Sequence, residues 1–166
     1  LNERKPSFSN ALVQCIAGGN TMVMNQSARN LLLNAGKVKV KSHDWWAYQL
    51  VSGAGGEVFY HSFPSVRYRQ HDHNVSGENR SLKALWLRLK LLFRGDYKEW
   101  IDMQVRALLK SYHTLTPENK AIFTLFHQSR NRWILPRIYG LSQSRIHRQT
   151  VRSHVGLMLA VLLKRV

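Results

Sequence analysis

The strongest constraint on the fold is a change of apolar period near residue 81. From Ser81 onward, Leu82, Leu85, Trp86, Leu89, Leu92 and Phe93 recur at every third or fourth position, with Lys83, Arg88, Lys90 and Arg94 between them. That spacing lines one face of an amphipathic helix. Upstream the pattern differs. Ala11 to Ala17 is a short apolar run stopped by Gly18-Gly19, and Glu57-Val58-Phe59-Tyr60-His61 alternates after a glycine-rich turn at Gly53 to Gly56. Short runs with glycine boundaries read as strands, and Ser65 to Arg69 reads as a further one, joined near Pro64. The expected architecture is α/β in residues 1–80, with few short strands and helices, followed by a mainly α-helical region in residues 81–166.

Capping signals refine the helices. Asn25 is an N-cap for a helix through Ala35, with Gly36 as its stop. Ser42 or Asp44 caps the next, which runs to Val51 or Ser52. A helix is expected from Lys98 to Tyr112. Another starts after Thr116, where Pro117 and Glu118 suit a first turn, and runs to Arg130. Trp133 to Tyr139 forms an apolar-basic segment ending at Gly140. A last helix is expected from Gln143 to the C-terminus. Val38 to Lys41 alternates Val and Lys, as an exposed strand or loop would.

Length and composition bound the rest. A chain of 166 residues with 44% hydrophobic content can bury one ordinary core. Its single cysteine, Cys15, excludes an internal disulfide and favours a reducing compartment. Cys15 lies in an apolar run, where a small core residue is the commoner reading than a nucleophile. The late apolar run Val155 to Leu163 is far short of the roughly 20 residues that cross a bilayer. Net charge is +16, and it is unevenly placed: residues 1–79 hold eight Lys and Arg against five Asp and Glu, while residues 80–166 hold 17 against four. A basic tail suits an anionic lipid surface, nucleic acid or a diphosphate-bearing substrate.

Most of the chemistry-bearing residues fall between Ser42 and Gly77. His43-Asp44-Trp45-Trp46 opens a helix, and Tyr68-Arg69-Gln70-His71-Asp72-His73-Asn74-Val75-Ser76-Gly77 follows the last expected strand. Upstream stand Ala17-Gly18-Gly19-Asn20-Thr21 and Asn25. On residues alone, Asp44 is a helix cap or a general base beside indoles that exclude water. Trp45 and Trp46 point about 100° apart on a helix, so at most one faces a given ligand and the other belongs to the core. Arg69 and His71 share one face of a strand. His71-Asp72-His73 resembles a zinc site only weakly, because no second Cys or His cluster stands at a standard spacing.

The three motifs, in this order and spacing, resemble bacterial family 2 glycosyltransferases, in particular the rhamnosyltransferase-like branch that builds O-antigen and exopolysaccharide. The resemblance covers residues 10–80 well and the helical tail loosely. It implies the acceptor-side half of a GT-A domain and an inverting sugar transfer with Asp44 as base. Gly18, Gly19, Asn20, Trp45, Trp46, Arg69 and Asn74 would contact substrates. His71 would help hold a divalent metal, Mg²⁺ or Mn²⁺. The family's Asp-X-Asp metal motif is absent from this sequence, which also begins at Leu1. The resemblance therefore implies the C-terminal part of a longer enzyme, inactive by itself, with most metal ligands outside it.

The implied partners are a nucleotide-sugar donor, such as dTDP-rhamnose, and a glycan or polyprenyl-diphosphate-linked acceptor. The implied location is the cytoplasm, peripheral at the inner face of the cell membrane. A split sheet would leave an edge open to a homodimer. The basic helix Leu82 to Arg94 and the last helix, with Arg145, Arg148 and Arg152 before an apolar end, fit a membrane-surface contact or a solvated face equally. The alternative function is a non-enzymatic basic module for a membrane surface or nucleic acid. Against nucleic acid, no known binding motif and no evident stacking platform occur.

Overall fold

The computed structural model describes residues 4–16, 18–61, 63, 86 and 90–166. Among these the order is α1 (Phe8–Ala11), a 3-10 turn (Gly19–Thr21), α2 (Gln26–Asn34), α3 (His43–Gly53), α4 (Asp96–Lys110), a second 3-10 turn (Tyr112–Thr114), α5 (Pro117–Ser129), α6 (Ile134–Gln143) and α7 (Val151–Leu162). Residues 90–94 are also helical. The described residues contain no strand and no sheet, so the expected α/β, GT-A-like class is corrected to all-helical. The strand expected at Ser65 to Arg69 lies outside the described residues.

Hydrogen bonding explains why the run from Ala11 does not become a strand. Ser7 caps α1 by accepting the Asn10 N–H, and the chain folds into a short helix. Carbonyls that a strand would give to a neighbour are taken by side chains. Ala11 O accepts from Trp45 Nε1 at 2.7 Å and from Gln49 Nε2 at 3.0 Å. Val13 O accepts from the Tyr97 hydroxyl at 2.7 Å and from Arg148 Nε at 3.2 Å. Residues 56–61 are irregular for the complementary reason: no described neighbour offers them a ladder.

The helix signals fare better, because capping is local. Asn25 Oδ1 accepts the Ala28 N–H at 2.9 Å, and Gly36 follows at φ 66°. Thr116 Oγ1 accepts the Asn119 N–H ahead of Pro117. Two boundaries differ. Trp133 is the N-cap of a helix that continues through Gly140 to Gln143. The last helix starts at Val151 instead of Gln143, because Thr150 and Ser153 form a capping box there.

One core runs through residues on both sides of position 80. Phe8, Leu12, Trp45, Trp46 and Leu50 cluster with Ile101, Leu108, Phe123, Phe126, Leu141 and Leu157. Each such side chain contributes about 1.5–3 kcal/mol by leaving water. Polar ties join the ends of the chain. Asn10 Nδ2 donates to His147 O at 2.8 Å, Ser9 Oγ donates to Ser144 O at 3.0 Å, and Gln149 N donates to Gln14 Oε1 at 2.9 Å. The segment between α6 and α7 is thereby fastened under α1, and α1 in turn packs on α3.

Candidate functional site

The first turn of α3 places Asp44 at the wall of a groove of about 1120 Å³. Ser42 is the extended N-cap residue but makes no side-chain cap bond. Asp44 serves that end instead: its Oδ1 accepts the Trp45 N–H at 2.7 Å, and its charge suits the positive end of the helix dipole. The carboxylate is half-buried.

The rest of the groove wall comes from distant parts of the chain. Gly18, Thr21 and Asn25 approach from the turn before α2, and Glu57 to His61 with Phe63 close the other side. His43 fixes the meeting of α3 with that turn. A Cβ added at Gly19 would stand 2.0 Å from His43 Nε2, so the missing side chain is what lets the imidazole in. Asn20 is exposed, with its Oδ1 folded back toward Gly18. Thr21 Oγ1 donates to Gly18 O at 2.8 Å and tightens the turn.

Trp45 and Trp46 are both 5% exposed and belong to the core cluster. Neither indole lines the groove; its described aromatic side chains are Tyr48, Tyr60, Phe59 and Phe63. Phe59, His61 and Phe63 make a ladder with centroids 6.2 Å apart at each step. Cys15 is half-buried on the groove wall and packs against the core. Arg69, His71 and Asn74, with the His71-Asp72-His73 run, lie outside the described residues.

Charge gives the groove its chemical character. Asp44 and Glu57 are the acidic groups in its described wall, and that wall holds no Lys or Arg. The cations gather elsewhere. Lys39, Arg94, Lys98, Arg106, Lys110 and Arg165 face Glu99 and Asp102 around a separate hollow of about 480 Å³. The described wall therefore suits a neutral, hydroxyl-bearing ligand with an apolar face. A divalent ion does not fit the described residues by themselves, since no three His, Cys, Asp or Glu side chains among them gather around one point.

Several residues that matter here carry no obvious signal in the sequence. Tyr48 lines the groove, and its hydroxyl accepts the Ser7 N–H at 2.9 Å and stands 2.9 Å from Asn10 Oδ1. Burial pushes the Tyr48 hydroxyl up to about 12, against the bond to the Ser7 backbone and with a smaller push from Cys15. It therefore stays protonated at neutral pH, its one proton held by Ser7 O and Asn10 Oδ1. Tyr97 is raised by burial too, opposed by Arg148 and Arg130, and the Arg148 guanidinium lies 5.3 Å from its ring. Arg130 is buried against Asp102 at 2.5 Å; burial lowers its pKa and the bond to Asp102 opposes the fall.

No protein family, curated protein or solved structure matches this chain. Among the described residues no helix is long and apolar enough to cross a membrane.

Proposed function

We propose that the groove receives the acceptor sugar of an inverting glycosyl transfer and that Asp44 is its general base. The observation that supports this reading is convergence. The Gly18–Asn25 turn, Asp44 and Glu57–His61 are separate in sequence, and they meet on one groove without a single described Lys or Arg. Such a wall accepts a neutral polyol. Aromatic rings offer their faces to the apolar side of a sugar, and Asp44 and Glu57 answer its hydroxyls.

The reaction is a single displacement. A carboxylate oxygen of Asp44 takes the proton of the acceptor hydroxyl while that oxygen attacks the anomeric carbon of the donor. The bond from that carbon to the nucleoside diphosphate breaks, and the diphosphate leaves with the electron pair. Inversion follows from attack opposite the leaving group. A base so placed contributes about 10²–10⁴-fold to the rate. The Trp45 N–H on Oδ1 orients the carboxylate, and the core packing of Trp45 and Trp46 holds that end of α3 rigid. The donor is a nucleotide sugar, dTDP-rhamnose being the one that the family resemblance implies.

The test is Asp44→Asn in the native enzyme, assayed by release of nucleoside diphosphate from a panel of nucleotide sugars with glycan and lipid-linked acceptors. Asparagine keeps the size and the capping oxygen but removes the base. The expected loss in kcat is at least about 100-fold, with a stability loss of no more than about 1 kcal/mol from the helix dipole. Near-normal turnover would overturn the assignment.

A further inference from the structure

We infer that α6 and α7 form a docking face for an anionic phospholipid surface. The two helices pack together, and the buried Arg137 of α6 donates from Nη2 to Leu162 O at the end of α7 at 3.1 Å. Each helix turns an apolar stripe outward. On α6, Leu135 is 63% exposed and Tyr139 68%; on α7, Val151 is 77% and Val155 63%. The stripe of α7 continues through Met158, Leu159 and Leu162, all on the side opposite the buried Leu157, Ala160 and Val161. This is helical amphipathicity with its apolar side left uncovered.

Charge identifies the occupant. From residue 119 to residue 166 the sequence holds nine Lys and Arg and no Asp or Glu. Four of the cations are exposed at the ends of the stripes: Arg132, Arg145, Arg152 and Lys164. Trp133, 65% exposed beside Arg132, adds the kind of ring that settles at a lipid headgroup boundary. Apolar side chains flanked by cations and free of acids complement an anionic bilayer, which takes the first into its acyl boundary and pairs the second with phosphates. A second copy of this face fits poorly, because two acid-free basic rims would meet with nothing to neutralise them. Nucleic acid would answer the cations but not the aliphatic stripe of Val and Leu.

The experiment is flotation of the full chain with phosphatidylcholine vesicles, with and without phosphatidylglycerol, at low and high salt. Binding is expected with the anionic vesicles, and salt should weaken it. Arg132→Gln with Arg152→Gln should lower partitioning roughly fivefold for each cation removed. Leu135→Ser with Val155→Ser should lower it at least about tenfold. Both pairs lie on the surface, and far-UV circular dichroism checks that they keep the helices. Three results would overturn the inference: no binding to anionic vesicles at low salt, a dimer in sedimentation velocity that the Leu135/Val155 pair abolishes while vesicles go unbound, or retention on nucleic acid at physiological salt without vesicle binding.

Discussion

Asn10→Ala should unlock the joint between the two ends of the chain. Asn10 is completely buried. Its Nδ2 donates to His147 O at 2.8 Å, and its Oδ1 stands 2.9 Å from the Tyr48 hydroxyl. Longer bonds run to Gln14 Oε1 at 3.3 Å and from Gln149 Nε2 at 3.4 Å. Alanine removes all four. The two short bonds contribute about 1 kcal/mol each, the longer pair less, and the carbonyl of His147 is left without this partner at about 1 kcal/mol more. Tyr48 keeps its bonds to the Ser7 backbone, so its share is partly retained.

The expected loss for Asn10→Ala is about 2–4 kcal/mol. At about 2–4 °C per kcal/mol for a chain of this size, a loss in the middle of that range lowers Tm by roughly 6–12 °C. Urea titration followed by far-UV circular dichroism gives the free energy directly, at an unchanged slope against denaturant. Tyr48→Phe alone and in combination completes a cycle, with an expected coupling of about 0.5–3 kcal/mol. A loss below about 0.5 kcal/mol, or additive single effects, would show that the joint is not where the ends are held.

The other predictions concern packing and protons. Gly140→Ala should cost about 1–3 kcal/mol, since its Cβ would stand 1.9 Å from Ser129 Oγ, and Ser129→Gly in the same chain should recover part of the loss. Asp102→Asn leaves the guanidinium of Arg130, 2% exposed, without its counter-charge; because Asp102 is itself 31% exposed, the expected cost is about 1–3 kcal/mol by urea titration, less than for a fully buried pair. His154 titrates below its ordinary 6.5, first because of burial and then because Arg4 and His147 stand near. The unfolded chain therefore takes up this proton at higher pH than the folded one. Stability is complete above about pH 6.5 and falls as pH drops through the folded-state value, and His154→Gln should flatten that part of the melting profile.

Local chemistry was legible in the sequence, and long-range chemistry was not. Asn25, Thr116 with Pro117, and the first turn at Asp44 mark helix starts through bonds that span three residues or fewer, so residue type and order suffice. Gly140 shows the limit. It reads as a helix stop, but α5 comes so close that only glycine fits beside Ser129, and the helix runs on. Ala11 to Ala17 shows it again. The apolar run has the composition of a strand, yet side chains from as far as 135 residues away take two of its carbonyls, Trp45 and Gln49 that of Ala11, Tyr97 and Arg148 that of Val13. The same holds for the groove. Asp44 could be picked out by type and position, whereas Tyr48 and the exclusion of every described cation from that wall are properties of the assembled surface. The sequence by itself determined where α2, α3 and α5 start, because capping energies are local. The tertiary structure decided the class of the fold and the character of the site, because a backbone carbonyl accepts whichever donor the packing brings to it.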